Sequence, residues 1–140
     1  MLPSVRGAAD FLTVYADWLF SSGATCIRLE KNTRRMAVSL GVEMEMCILP
    51  RHIQITVTRG NEVFTSVVAI NERPVNYDIN TRLSRLSWDM ADGRTGFDDA
   101  QKAFSEIIEA RPATGCYSTL LASLANSAFC RLFGGDAVAM

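Results

Sequence analysis

Histidine and closely spaced cysteines are scarce in this chain. The only histidine is His52, and the four cysteines, Cys26, Cys47, Cys116 and Cys130, contain no CxxC pair. A zinc site normally takes Cys and His ligands at short spacing, and a disulfide framework is typical of short secreted chains. We therefore expect no metal, no disulfide and no cofactor, and we predict that the cysteines are small apolar core residues in a reducing compartment.

A strong net charge and a secretory signal are also lacking. The chain has 14 basic and 15 acidic residues and a net charge of −1, so bulk charge suggests neither nucleic acid nor an anionic membrane surface as a partner. Asp10 and Asp17 interrupt the only N-terminal apolar stretch, so we expect no signal peptide. A hydrophobic content of 49% excludes a disordered chain, and 140 residues are enough for one folded domain.

Helical spacing of apolar residues predicts a helical hairpin at the start of the chain. The first helix should run from Val5 to Ser21, and the second should begin after a Thr25 cap and reach Leu40. Cys26 should belong to the apolar stripe of the second helix. Its other face is basic and carries Arg28, Lys31, Arg34 and Arg35.

Alternating apolar residues then predict a three-stranded antiparallel meander over residues 42–49, 52–58 and 63–70, with one face covered by the helices. Residues 59–62 should form a hairpin loop. Two further helices should follow. Asp78 should cap the third, Thr95 or Asp98 should start the fourth, and Pro112 should end it. The predicted class is α+β.

The C-terminal tail has no charged residue from Pro112 to Cys130. A membrane-spanning helix needs roughly 20 mostly apolar residues, and this stretch is nearly long enough. Ser and Asn dilute it, so it suits a multi-helix bundle better than a lone anchor. A buried C-terminal helix of a soluble domain explains the same pattern, and from the pattern alone the two interpretations are equally good.

The order of motifs along the chain resembles the threonine/serine exporter family over about Phe11 to Asp136. The resemblance is to the N-terminal region of such proteins, including the larger component of the two-part bacterial versions. The motifs that carry it are Gly23-Ala24 with Arg28, Gly41-Val42, Leu83-Ser84 and Leu132-Phe133-Gly134-Gly135. No single motif is diagnostic, but their order and spacing are specific.

The resemblance implies a cytoplasmic N-terminal domain, residues 1–111, followed by the first transmembrane helix and the start of the next within residues 112–140. It implies a non-enzymatic secondary exporter of threonine, serine or dicarboxylates in the inner (plasma) membrane. Lys102 and Arg111 precede the tail, as the positive-inside rule expects. We expect the chain to be a fragment that works with a remaining transmembrane part or a second membrane subunit, in a homo- or hetero-oligomer.

Two groups of candidate site residues follow. Ser123 and Asn126 lie in the apolar tail, where polar groups commonly face a bundle interior or a transport pathway, although a plain interhelical hydrogen bond is as good an explanation. Arg28, Arg34 and Arg35 could bind an anionic ligand or lipid headgroups, against the simpler interpretation of a solvated face paired with Glu30.

Alternative functions rest on the strands. A soluble ligand-binding or regulatory module is the main alternative, and a small hydrolase using His52 is a weaker one. The hydrolase would need Ser66 or Cys47 as nucleophile near His52 and an acid such as Glu43 or Glu45. The two glutamates are two residues apart on a predicted strand and should share a face, which is more often solvated than functional.

Overall fold

Five helices and a three-stranded sheet make up residues 2–110 and 116–132, the parts of the chain that this computed structural model describes. In chain order the elements are α1 (Val5–Ser21), α2 (Cys26–Ser39), β1 (Glu43–Ile48), β2 (His52–Arg59), β3 (Glu62–Ala69), α3 (Tyr77–Ala91), α4 (Phe97–Glu109) and α5 (Cys116–Leu132). The predicted α+β class, the helical hairpin, the meander and the two following helices are confirmed.

The sheet has the strand order β1-β2-β3, and both pairings are antiparallel. Its register aligns Met44, Val57 and Phe64 in one row across the three strands. Met44 and Val57 are buried in this row because helices cover this inner face: α1 contacts β2 and β3, and α2 contacts β1. Side chains alternate along a strand, so the neighbouring positions form an outer face that the helices do not cover.

Helix α1 lies at the centre of residues 2–110 and contacts α2, α3, α4, β2 and β3. Leu12, Tyr15 and Leu19 are fully buried on it. Phe11 makes edge-to-face contacts with Phe97 and Phe104 of α4, with ring centres 5.4 and 5.8 Å apart. Such pairs stabilise a fold by about 0.5–1.5 kcal/mol each beyond the area they bury.

A buried carboxylate on α1 fixes the loop between β3 and α3. Asp17 accepts hydrogen bonds from the backbone N of Asn71 at 3.0 Å, from its Nδ2 at 2.9 Å and from Nη1 of Arg73 at 2.9 Å. The Arg73 guanidinium also lies 3.9 Å from the centre of the Trp18 ring. These contacts tie the loop to α1 and thereby set where α3 begins.

The helix ends match the sequence predictions only in part. Thr25 caps α2 as predicted, since its Oγ1 accepts from the backbone N of Arg28 at 3.3 Å. The cap of α3 is Asn76 and not Asp78, because the Asn76 side chain accepts from the N–H groups of Asp78 and Ile79. Helix α4 begins at Phe97 after Gly96, so neither predicted start of that helix was right. Pro112 lies outside the described residues.

The prediction that the cysteines belong to the core is wrong for two of them. Cys26 opens α2 on its exposed side, and Cys47 lies on the outer face of β1. Cys130 is half-buried on α5, and the Cys116 side chain lies outside the description. The prediction was wrong for Cys26 because the position of the first residue of a helix is set by its cap. It was wrong for Cys47 because the alternation of side chains along the strand turns this residue away from the helices.

The chain divides into two units, Met1–Ala110 and Arg111–Met140. In the second unit, α5 has 17 residues. Within residues 2–110 and 116–132, no helix combines the length and apolarity needed to cross a membrane. The transmembrane helix predicted within residues 112–140 is therefore not confirmed. Arg111 and Gly134-Gly135 lie outside the described residues.

Candidate functional site

Helices α2 and α3 are joined by a row of polar contacts, which we call the polar ladder. Both helices place polar side chains at the spacing i, i+4, i+7, so each set forms one stripe. The three pairs of the ladder, with donor first, are Arg28 Nη1 to Asn80 Oδ1 at 3.1 Å, Asn32 Nδ2 to Ser84 Oγ at 2.8 Å and Arg35 Nη1 to Ser87 Oγ at 2.8 Å. The partners in each pair are 52 residues apart, so the two helices run parallel.

The inner side of the ladder is closed to solvent. Asn32, Asn80 and Ser87 are buried there beside Tyr15, whose hydroxyl donates to the backbone O of Leu83 at 3.0 Å. Burial raises the pKa of the Tyr15 hydroxyl above its usual value, and the opposing effects of the Ser87 hydrogen bond and the Arg35 charge are smaller. Asn80 Nδ2 is buried with no hydrogen-bond partner among the described residues.

The outer side of α2 carries a cationic groove. Three basic side chains and three small or apolar ones line its volume of about 410 Å³: Lys31, Arg34, Arg35, Val38, Ser39 and Ala91. The Arg35 guanidinium lies 3.5 Å from the centre of the Trp88 ring, a cation–π contact that holds it at the rim. Arg34 Nη2 lies 3.0 Å from Glu30 Oε1, a pair exposed enough to contribute little stability.

The structure separates the three arginines that were predicted to bind an anion. Arg34 and Arg35 line the groove together with Lys31, while Arg28 turns toward α3 and bonds Asn80. Arg35 takes part in both places, because its Nη1 also donates to Asn32 Oδ1 at 3.0 Å. An anion in the groove would therefore meet Lys31 directly, Arg34 in competition with Glu30 and the backbone O of Met44, and Arg35 as a fixed charge.

The two glutamates of β1 border a second groove of about 360 Å³ on the other side of Arg34. Glu43 and Glu45 are both exposed and line it together with Met44 and Thr58. They share a face, as predicted. Across residues 2–110 and 116–132, no group of three or more His, Cys, Asp or Glu side chains could hold a metal ion.

The sheet register bears directly on the hydrolase alternative. His52 is paired with Ala69 and is exposed on the outer face, whereas Ser66 is paired with the buried Ile55 and lies on the inner face. Opposite faces exclude Ser66 as a nucleophile next to His52. Cys47 is paired with Gln54 and so shares the outer face with His52, which lies two residues before Gln54 on β2.

Ser123 and Asn126 both lie on α5, three residues apart and exposed. Ser123 Oγ donates to the backbone O of Thr119 at 2.9 Å, a local bond within the helix. Residues three apart lie on the same face of a helix, so the two side chains can act together. Their role in a transport pathway stays a prediction.

Sequence reasoning missed most of the polar ladder. It identified the basic face of α2 but neither Asn32 nor the partners on α3, which are Asn80, Ser84 and Ser87. A signal was present, because polar residues recur at i, i+4 and i+7 beside the apolar stripe of each helix. Trp88 was also missed, since nothing in a single sequence pairs it with Arg35.

The chain was compared with protein families, with curated proteins and with solved structures. Residues 10–140 match the model of the ThrE family, described as "Putative threonine/serine exporter". No curated protein and no solved structure matches the chain. The family match spans almost the whole chain, including the polar ladder, the sheet and α5. The chain therefore belongs to the threonine/serine exporter family.

Proposed function

We propose that the chain is a component of a secondary exporter of small hydrophilic metabolites of the threonine/serine or dicarboxylate class. The observation that carries this proposal is the family match over residues 10–140. The exporter would use alternating access driven by the proton gradient, with substrate bound between membrane helices. The chain would work with further transmembrane segments or with a second membrane subunit.

We place the residues of this chain in that exporter as follows. Residues 1–111 would form an α+β domain facing the cytoplasm, and residues 112–140 would contain the first transmembrane helix and the start of the next. The uncharged stretch from Pro112 to Cys130 and the basic Lys102 before it support this arrangement. The domain would regulate, gate or assemble the exporter, since a pathway requires more than one helix.

Ser123 and Asn126 are the pathway candidates in this arrangement. Both are polar side chains on one face of α5, in a stretch without charge. Polar groups at such positions commonly line a substrate route or bond to a neighbouring helix. Lys31, Arg34 and Arg35 form the candidate anion site of the domain, and Arg28 belongs to the polar ladder.

Export from cells tests the proposal. The source organism would express the protein from its native locus after its other threonine exporters had been deleted, and threonine, serine and succinate would be measured in the medium. We expect the double variant Ser123→Ala/Asn126→Ala to lower export at equal protein level. The matched control is Ser105→Ala/Asn61→Ala, because Ser105 Oγ makes the same i−4 backbone bond on α4.

The outcomes separate the parts of the proposal. Export of at least one of the three metabolites above the level of a strain that lacks the gene supports the function. Export that is equal for the parent and Ser123→Ala/Asn126→Ala would remove the pathway role of these two residues. No export of any of the three, with the protein present in the membrane fraction, would contradict the proposed function.

A further inference from the structure

Positive charge is concentrated on α2 although the whole chain is nearly neutral. The helix carries four basic residues, Arg28, Lys31, Arg34 and Arg35, and one acidic residue, Glu30, so its net charge is +3. The chain as a whole has a net charge of −1, which leaves −4 for everything outside α2. Such an asymmetry orients a molecule toward a negatively charged partner.

Exposed apolar side chains flank these charges along the same line of α2. Ile27, Lys31, Arg34 and Val38 follow the spacing i, i+4, i+7, i+11, which is one face of a helix. Ile27 is 69% exposed and Val38 72% exposed, and Trp88 beside them on α3 is 52% exposed. Together with Arg35, which lies between them, these five residues form what we call the basic surface of α2: Ile27, Lys31, Arg34, Arg35, Val38 and Trp88.

We propose that the basic surface of α2 binds the anionic headgroups of a phospholipid bilayer and so holds the domain against the membrane. Cations mixed with exposed aliphatic and tryptophan side chains are typical of elements that lie in the headgroup region. Lys31 and Arg34 would meet lipid phosphates, while Val38 and Trp88 would reach the acyl boundary. This inference rests on the proposed function, which brings the domain to a membrane.

Two observations favour a lipid surface over a free anion in the groove. A soluble carboxylate or phosphate gains nothing from Ile27, which lies outside the groove and is exposed. Arg35 cannot close around a small ligand, because Ser87, Asn32 and Trp88 already hold its guanidinium. A flat array of headgroups needs no such closure.

Acidic side chains limit the extent of the surface. Glu30 pairs with Arg34, and Glu43 and Glu45 line the second groove, on the β1 side of Arg34. An anionic bilayer would repel these carboxylates, so the contact must tilt toward α3 and away from β1. Removing the two β1 charges should therefore strengthen binding, whereas a surface that contacts nothing would be indifferent to them.

Vesicle binding by the 140-residue chain tests this inference. Co-sedimentation would compare binding to phosphatidylglycerol/phosphatidylcholine vesicles with binding to pure phosphatidylcholine vesicles. Any binding through the apolar tail should be the same for both kinds of vesicle, so the difference between them reports the anionic headgroups. Each basic residue near an anionic surface strengthens binding about fivefold. Lys31→Gln/Arg34→Gln should thus weaken binding to the anionic vesicles by about 25-fold and leave binding to the neutral ones unchanged.

The control variant loses the same charge elsewhere. Arg51→Gln/Arg82→Gln removes one exposed arginine just before β2 and one arginine with an acid four residues before it, as Arg34 has. We expect less than a threefold effect, because both lie outside the basic surface of α2. Glu43→Gln/Glu45→Gln should bind the anionic vesicles more tightly than the parent. Equal weakening by both basic double variants would mean a net-charge effect and would overturn the inference.

The position of Trp88 gives a second readout. A Trp18→Phe variant leaves Trp88 as the single tryptophan, and its fluorescence should be quenched by brominated phosphatidylglycerol. Absence of quenching, or the same affinity for both kinds of vesicle, would contradict the lipid contact. Binding of inorganic phosphate by the chain, together with equal affinity for both kinds of vesicle, would assign the groove to a free anion instead. Cells that export normally while the chain shows no vesicle selectivity would refute this inference alone.

Discussion

Asp17 and Arg73 form an ion pair of 2.9 Å that is almost closed to solvent, with 4% and 24% of their side chains exposed. The carboxylate also accepts two hydrogen bonds from Asn71, so all of its contacts go to one loop. Removing one partner of a buried pair leaves the other charge uncompensated, which is costly.

We therefore predict that Asp17→Asn lowers the free energy of unfolding by about 3 kcal/mol. Asp10→Asn is the control, because the 3.8 Å pair of Asp10 with Arg6 is exposed and should contribute less than about 1 kcal/mol. Urea unfolding followed by tryptophan fluorescence measures both. Equal effects of the two substitutions would show that the loop is not held by Asp17.

The polar ladder predicts opposite results for two buried asparagines. Asn80 has an unpartnered Nδ2 and bonds only the exposed Arg28, so Asn80→Leu should stay within about 0.5 kcal/mol of the parent or be more stable. Asn32→Leu should cost about 2–3 kcal/mol, since Arg35 and Ser84 both lose a partner. Urea midpoints measure the difference. A cost of Asn80→Leu as large as that of Asn32→Leu would contradict this description.

The buried hydroxyl of Tyr15 should make stability fall at high pH. Its folded-state pKa is raised above the unfolded value of about 10, so the contribution is complete below pH 10 and is lost as the pH rises further. The slope is up to about 1.4 kcal/mol per pH unit. Unfolding of the parent and Tyr15→Phe at pH 8 and pH 11 measures it. We expect a smaller loss for the variant, and an equal loss would assign the effect to other groups.

Two glycines with positive φ should differ in their tolerance of a side chain. Gly23 has φ +100°, and a Cβ there would lie 2.7 Å from Val75 Cγ1, so Gly23→Ala should cost about 2 kcal/mol or more. Gly60 has φ +61° and open space around it, so Gly60→Ala should cost about 1 kcal/mol from the backbone alone. Thermal unfolding of both variants would show the order, and the reverse order would be inconsistent with the packing at Gly23.

The helices and strands were predictable because their signals are local. Alternation over residues 42–70 and helical spacing in α1 and α2 each extend over several turns or strand residues, so the type of element was clear. The start of α3 was predicted wrongly because Asn76 and Asp78 are both good caps, and the chain uses the one that the Asp17 loop places there.

The candidate site was only half predictable. The basic face of α2 follows from its sequence, but Arg28 and Arg34 differ by about 120° around the helix, so a neighbour could take one and leave the other. That neighbour is α3, whose ladder residues are 52 positions away and cannot be paired by periodicity. The exposure of the cysteines and the stacking of Arg35 on Trp88 could not be predicted from periodicity either.

The most direct test of the central claim is efflux from preloaded cells. The source gene would be deleted and then restored at its native locus, and the initial rate of labelled threonine, serine and succinate efflux would be measured with and without a protonophore. We predict that restoration raises the efflux of at least one of these metabolites and that the protonophore removes the increase. Identical efflux in the deleted and restored strains, with the protein present in the membrane fraction, would contradict the claim that this chain is an exporter component.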